Sequence, residues 1–117
     1  MVTAVGPQVE EFVAAGVLVL FAEGAPEELL DFSVIHRPED GFEEVRAGDS
    51  VHFGSENVLT ITAIGDVANK NLESLGHAVF KCNGNVTAEL PGDICLEEGA
   101  LPAVEVGQTI RIDDGTN

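Results

Sequence analysis

The chain has 117 residues, of which 44% are hydrophobic and 22% are charged. This composition is typical of a single folded domain and excludes intrinsic disorder as the default. Twenty-one acidic residues against five basic ones give a net charge of −16, so the surface repels nucleic-acid phosphates and anionic membranes. We therefore expect one domain over residues 1–117 that binds no nucleic acid and does not insert into a membrane.

The sequence also indicates where the protein acts. Its longest apolar run, Val17–Phe21, is far shorter than the ~20 residues that a membrane helix needs. The first residues show no basic segment followed by an apolar one, as a secretion signal would. Cys82 and Cys95 each lie in an apolar run, which predicts free buried thiols rather than a disulfide framework. We expect a cytoplasmic protein.

The first half of the chain begins with a helical pattern and continues with strands. We predict a helix over 7–15, where a proline and two glutamates precede an apolar stripe and a glycine ends it. Strands are then predicted over 17–21, 31–37, 51–53 and 58–64 from their apolar runs or alternation. A short helical turn is expected over 26–30.

The second half adds one helix and further strands. The helix is predicted over 67–75, with Asp66 as the N-cap and Gly76 just past its end. Asn83-Gly84 predicts a hairpin between strands over 77–82 and 85–90, and further strands are expected over 94–96 and 109–112. The predicted fold is mainly β: a small antiparallel β-barrel, or barrel-like sandwich, with one or two short helices.

Sequence signatures of the common catalytic and cofactor sites are missing. There is no glycine-rich phosphate loop, G-x-S-x-G elbow, C-x-x-C pair or calcium-binding loop. The three histidines, His36, His52 and His77, are sixteen and twenty-five residues apart, which matches no local metal motif. We expect neither a cofactor nor a metal, although a metalloprotein that uses these histidines is an alternative hypothesis.

His36 is the best candidate for a reactive side chain. It ends an alternating strand, and Pro38 two residues later prevents that strand from continuing. A partly desolvated imidazole that stays reachable suits a nucleophile, because a neutral ring attacks through one nitrogen while the other is held by a hydrogen bond. The structural alternative is a strand-end histidine with its hydrogen bonds satisfied. Candidates for apolar residues around it are Phe32, Val34 and Phe42.

Five blocks of sequence, in order along nearly the whole chain, resemble a known family. They resemble the glucitol/sorbitol-specific enzyme IIA family of the bacterial phosphoenolpyruvate-dependent sugar phosphotransferase system. The blocks are Phe21–Pro26, Ile35–His36, Thr60–Asn69, Asn71–His77 and Ala88–Gly92.

The resemblance implies a phosphotransferase component that works only together with partner proteins. Members of the family are cytoplasmic carriers that accept a phosphoryl group on a histidine from the carrier HPr. They pass it to the IIB domain of a sorbitol-specific IIB/IIC permease, and sorbitol enters the cell as its 6-phosphate. The family's phosphorylated histidine maps onto His36. We interpret His77 as a supporting residue and Arg37 as a stabiliser of the phosphoryl oxygens. The alternative is a non-catalytic β-barrel binding module.

Overall fold

The computed structural model describes residues 1–38, 43–55 and 57–114. Within these ranges the chain forms eight strands and three short helices. The helices are α1 (Val9–Ala14), a 3₁₀ helix (Glu27–Phe32) and α2 (Ala68–Leu75). The strands are β1 (Val2–Val5), β2 (Val17–Ala22), β3 (Ser33–His36), β4 (Ser50–Phe53), β5 (Asn57–Ile64), β6 (Ala78–Lys81), β7 (Asp93–Leu96) and β8 (Ile110–Asp113).

The strands form one sheet that curls into a nearly closed barrel. Their order across the sheet is β1-β3-β2-β6-β7-β5-β4-β8. The two edges approach each other just before β8, where the amide of Val2 donates to the carbonyl of Gln108 over 2.8 Å and the amide of Gly107 donates back to Val2 over 2.9 Å. The predicted mainly β, barrel-like fold with short helices is therefore confirmed.

Two strand pairs run parallel within this mostly antiparallel sheet. They are β2 with β3, joined through the 3₁₀ helix, and β6 with β7. The predicted hairpin at Asn83-Gly84 is wrong, because residues 82–92 form an irregular loop that returns the chain to the start of β7. Polar side chains hold this loop: Asn83 Oδ1 accepts from the Asn85 amide over 3.0 Å, and the Thr62 hydroxyl donates to the Asn85 carbonyl over 2.6 Å.

The inward faces of the strands supply the core. Fully buried side chains include Leu18 in β2, Phe80 in β6 and Ile94 in β7, each contributing roughly 1.5–3 kcal/mol through burial. The rings of Phe53 and Phe80 meet edge to face with centroids 6.0 Å apart. This packing fixes the barrel wall on which the site is built.

Several element ends differ from the prediction. β1 carries no strong alternation and was not predicted. β3 begins at Ser33 because the 3₁₀ helix continues through Phe32. The N-cap of α2 is Val67 rather than Asp66, with no side-chain capping bond, whereas Gly76 ends the helix in the left-handed conformation, as expected.

Two other predictions concern the thiols and membrane-spanning segments. Both cysteines are free thiols, and Cys95 is buried, as predicted, whereas Cys82 is only half-buried. Of the helices in the described ranges, none is both long enough and apolar enough to traverse a lipid bilayer.

Candidate functional site around His36

His36 is the last residue of β3 and lies between β1 and β2. It pairs with Val2 on one side and with Ala22 on the other. Backbone bonds continue past it on both sides: the amide of Arg37 donates to the Met1 carbonyl over 2.8 Å, and the amide of Glu23 donates to the His36 carbonyl over 3.0 Å. The backbone that carries the imidazole is therefore held by both neighbouring strands.

The imidazole of His36 is half-buried and held at one nitrogen. Its Nε2 lies 2.7 Å from the carbonyl oxygen of Gly76. A carbonyl oxygen can only accept, so Nε2 carries the proton in this hydrogen bond and the neutral ring has its lone pair on Nδ1. Among the described residues, none forms a hydrogen bond with Nδ1 of His36. In the same part of the chain, the buried side-chain polar atoms without a hydrogen-bond partner are Oγ of Ser33 and Nε2 of His52.

Gly76 is adapted to this position in two ways. Its φ of +59° lies in the left-handed region that glycine adopts without steric cost. A Cβ at this residue would lie 2.7 Å from Cβ of Ala22 and 3.1 Å from Nε2 of His36. The glycine therefore allows the end of α2 to approach β2 and the imidazole closely.

His36 opens into a surface recess of about 490 Å³. Helix α2 contributes Leu72 to its lining, and β8 contributes Arg111. Arg37 lies there as well, so two of the five basic residues in the chain border the recess. The acidic Glu43 also borders the recess, but two arginines beside an imidazole are groups that can attract an anion.

Both arginines are already paired with carboxylates. Arg37 binds Glu23 with two hydrogen bonds, Nε to Oε1 over 2.9 Å and Nη2 to Oε2 over 3.2 Å. The bond from Arg37 lowers the pKa of Glu23, and the charge of His36 acts in the same direction. The same pairing raises the pKa of Arg37. Arg111 donates to Asp113 over 2.9 Å. The recess therefore places positive groups near His36 without a large local excess of charge.

Comparison with known proteins identifies the family. The family model described as "PTS system glucitol/sorbitol-specific IIA component" matches residues 1–111. The chain belongs to this family.

Relatives of this IIA family member match over most of its length. The glucitol/sorbitol-specific EIIA components of Shigella flexneri and Escherichia coli (strain K12) are each 30% identical over 112 residues, covering 96% of this chain and 90% of theirs. A crystal structure described as the PTS system IIA component from Enterococcus faecalis V583 superposes with a TM-score of 0.82 at 29% identity, covering 94% of each chain. Membership of the family implies a role in the phosphotransferase system.

Within this IIA fold, His77 is close to the site in sequence but turned away from the recess. Its Nδ1 lies 2.9 Å from the Leu20 carbonyl and donates to it, and its ring stacks on Phe21 with centroids 4.2 Å apart. Phe21 alternates with the core residue Leu20 along β2, so its side chain lies on the opposite face of the sheet from the core. His36, Arg37 and Gly76 line the recess together, whereas His77 is joined to them through its backbone.

His52 has different surroundings. It points away from the buried Val51 and Phe53, as alternation along the strand predicts, yet its side chain is only 20% exposed. Its Nε2 lies 3.0 Å from Oδ2 of Asp113, an ion-pair distance without the angles of a hydrogen bond. In the described ranges no group of three or more histidine, cysteine or acidic side chains is arranged to hold a metal ion.

The apolar residues suggested around His36 lie elsewhere. Val34 is fully buried, and Phe32 stacks on Phe12 with centroids 5.6 Å apart. Neither Val34 nor Phe32 forms an exposed apolar border for the imidazole, so the suggestion is wrong for both residues. Phe42 lies outside the described residues.

Three residues of the site were missed from the sequence: Glu23, Gly76 as a hydrogen-bond acceptor, and Arg111. Glu23 and Gly76 both fall within the sequence blocks that resemble the family, and that was the available signal. Their contacts with Arg37 and His36 depend on the parallel pairing of β2 with β3 and on where α2 ends in space. Arg111 reaches the recess through the pairing of β8 with β4, for which the sequence offers no local signal.

Proposed function

We propose that this IIA component accepts a phosphoryl group from HPr on His36 and passes it to the IIB domain of a sorbitol-specific IIB/IIC permease. It acts in the cytoplasm as a protein-histidine phosphocarrier, and sorbitol is released into the cell as its 6-phosphate. The observation that carries the proposal is the imidazole itself, with one nitrogen bound to the Gly76 carbonyl while the ring borders an open recess.

The chemistry of the transfer matches what the recess offers. Phosphoryl transfer passes through a loose transition state with charge on three phosphoryl oxygens, so catalysis depends on positioning and on electrostatic stabilisation. His36 is the nucleophile. Arg37, which borders the recess, stabilises the oxygens by exchanging its bond with Glu23 for one with the phosphoryl group.

His77 has a positioning role in this scheme. Its imidazole donates to Leu20 on β2, and its amide donates to the Asn71 carbonyl over 3.2 Å. These two bonds fix the peptide group between Gly76 and His77. The carbonyl oxygen of that peptide group belongs to Gly76 and accepts the hydrogen bond from His36. His77 therefore acts through Gly76 rather than by touching the phosphoryl group.

The net charge supports transfer between proteins. With −16 over the chain, the surface attracts a carrier whose docking face is basic. A reversible transfer between carriers requires short-lived complexes, which small interfaces provide.

The experiment is phosphoryl labelling with purified partners. The chain is incubated with radiolabelled phosphoenolpyruvate, enzyme I and HPr, and we expect an acid-labile, base-stable label that membranes containing the sorbitol permease discharge when sorbitol is added. His36→Gln should take up no label, while His52→Gln, the matched control on another strand, should be labelled like the unaltered chain. Label on the His36→Gln protein would refute the site, and no label on the unaltered chain would favour the binding module.

The role of Arg37 is tested in the same assay. Arg37→Gln should lower the initial labelling rate by roughly tenfold or more, because a donor to the developing phosphoryl charge is lost. Arg46→Gln is the control, since Arg46 is exposed and does not border the His36 recess. Equal rates for the two variants would remove Arg37 from the mechanism.

A further inference from the structure

The hydrogen bond between His36 and Gly76 distinguishes the two nitrogens of the imidazole. Nε2 donates its proton to the Gly76 carbonyl over 2.7 Å, so the lone pair of the neutral ring is on Nδ1. We infer that the phosphoryl group is attached to Nδ1 of His36 and that the Gly76 carbonyl selects this nitrogen. The inference rests on the proposed function, because it specifies the atom at which the proposed transfer takes place.

The selecting carbonyl belongs to a well-fixed helix end. The amide of Gly76 donates to the Leu72 carbonyl over 3.0 Å, and the amide of His77 donates to Asn71 over 3.2 Å. Gly76 is buried, and the ring of His77 is bound to Leu20 on β2. Because both sides of the Gly76 peptide are held, its carbonyl cannot turn away without disrupting the end of α2.

The space around Nε2 is too small for a phosphoryl group. Even one added carbon on Gly76 would lie 3.1 Å from Nε2, and the carbonyl oxygen of the same residue is closer still. Attachment at Nε2 would require the ring to rotate away from α2 and would leave the buried Gly76 carbonyl without its donor. Nδ1 has neither restriction, since no described residue bonds to it and His36 opens into the recess with Arg37.

The step at Nδ1 balances without any added base. The Nδ1 lone pair forms the bond to phosphorus, the bond between phosphorus and the donor breaks, and its electron pair stays with the donor. Nε2 keeps its proton throughout. The positive charge that develops on the ring is stabilised by the Nε2–H bond to the Gly76 carbonyl. The reverse sequence passes the phosphoryl group onward.

Nuclear magnetic resonance on the phosphorylated full chain tests the attachment directly. The chain is labelled with ¹⁵N at histidine and phosphorylated through enzyme I and HPr, and long-range proton–nitrogen correlations then assign the phosphorylated nitrogen. We expect the Nδ1 isomer. The Nε2 isomer would overturn this inference while leaving the phosphocarrier function intact, whereas no phosphorylation of His36 would overturn both.

The tautomer of the unphosphorylated chain provides a second readout that needs no partner proteins. In the same type of spectrum, recorded on the unphosphorylated chain at a pH where the ring is neutral, we expect the His36 proton on Nε2. A neutral His36 with its proton on Nδ1 would contradict the selection by Gly76, whatever the labelling assay shows.

A matched pair of substitutions measures the hydrogen bond itself. The amide nitrogen of Gln can reach the position of Nε2, whereas that of Asn reaches only the position of Nδ1. His36→Gln should therefore keep a donor to the Gly76 carbonyl, and its melting temperature should exceed that of His36→Asn by about 4 °C. Equal or reversed melting temperatures would argue against a bond strong enough to select the reactive nitrogen.

Discussion

His36 and His52 are both strand histidines with Nε2 close to an oxygen atom, but the two oxygens differ in charge. For His36 the oxygen is the backbone carbonyl of Gly76, at 2.7 Å. For His52 it is a carboxylate oxygen of Asp113, at 3.0 Å, and that same oxygen is bound by Arg111. One imidazole is held by a neutral acceptor beside a recess, and the other is part of a small cluster of charges.

Under the proposed function, this difference explains why the environment of His36 suits a phosphoryl group better than that of His52. A neutral carbonyl fixes the ring and its tautomer without adding negative charge next to an arriving anion. A carboxylate beside the ring, by contrast, repels the phosphoryl oxygens at close range. Spacing in the sequence cannot distinguish the two histidines, whereas the charge of the oxygen nearest to each Nε2 can.

The largest expected effect comes from Gly76→Ala. The left-handed backbone at φ +59° costs alanine about 1–2 kcal/mol. The contact with Ala22 at 2.7 Å adds about 1–3 kcal/mol of overpacking. The new methyl group also pushes against Nε2 of His36, so phosphoryl labelling should fall together with the free energy of unfolding, which denaturant titration measures.

The control for that variant is Gly54→Ala, just after β4 and near His52. Gly54 has φ +71°, but the nearest atom to a Cβ there is 3.8 Å away. It should lose only the backbone component, about 1–2 kcal/mol, and keep its labelling. If the two variants lose stability equally and both keep the label, close packing at Gly76 is not what positions His36.

His52→Gln should affect stability and leave transfer unchanged. The substitution removes the 3.0 Å contact of His52 with Asp113, whose carboxylate keeps its bond to Arg111, so the free energy of unfolding should fall by roughly 1 kcal/mol. The labelling rate should match that of the unaltered chain. A slow labelling rate in a well-folded His52→Gln protein would mean that the two histidines are coupled.

Local signals in the sequence predicted much of the fold, and non-local pairings account for what they missed. Apolar runs located β2 and β5 and their neighbours, and the glycine at the end of α2 was recognised. The hairpin at Asn83-Gly84 was wrong because the same two residues also suit a longer loop, and only the parallel pairing of β6 with β7 decides between the two. Turn propensity describes four residues, whereas that pairing depends on the whole sheet.

The site was predictable to the same extent. Strand alternation and Pro38 placed His36 at a strand end, and the family resemblance singled it out among three histidines. The acceptor for its Nε2 could not be predicted, because Gly76 lies forty residues further along the chain and contributes a backbone atom that every residue type has. Contacts to main-chain atoms cannot be predicted from patterns of side chains in the sequence.

Glu23→Gln should have a smaller effect that shows how Arg37 divides its bonds. Without the carboxylate, Arg37 is free to bind the phosphoryl oxygens and a nearby negative charge is gone. The equilibrium should therefore shift toward phosphorylated protein by up to about fivefold, the scale of an exposed ion pair. The extent of labelling at fixed ratios of donor to acceptor measures this shift, and a decrease would show that Glu23 assists the transfer.

The same pair predicts a pH dependence of stability. Because Arg37 lowers the pKa of Glu23 below its ordinary value of 4.5, the pair stabilises the fold above that value and its contribution is lost as the pH falls through the lowered pKa. Chemical unfolding at neutral pH and at a pH below the lowered pKa of Glu23 should therefore separate the unaltered chain from Glu23→Gln only at the higher pH, and the difference should shrink as the pH falls below 4.5. A difference that persists in acid would have another origin.

The smallest expected effect concerns the two thiols, which are an alternative class of nucleophile to the imidazole of His36. Burial raises the pKa of Cys95, and it raises that of Cys82 with the Glu97 carboxylate adding to the effect. A raised pKa leaves less thiolate at a given pH, so alkylation by iodoacetamide should be slower than that of an unfolded cysteine peptide and should accelerate as the pH rises. Mass spectrometry measures those rates, and protein alkylated at Cys82 should take up as much phosphoryl label as untreated protein. A loss of label on alkylation would indicate that the Cys82 sulfur takes part in the transfer. The contrast between the two histidines would then no longer explain where the chemistry takes place.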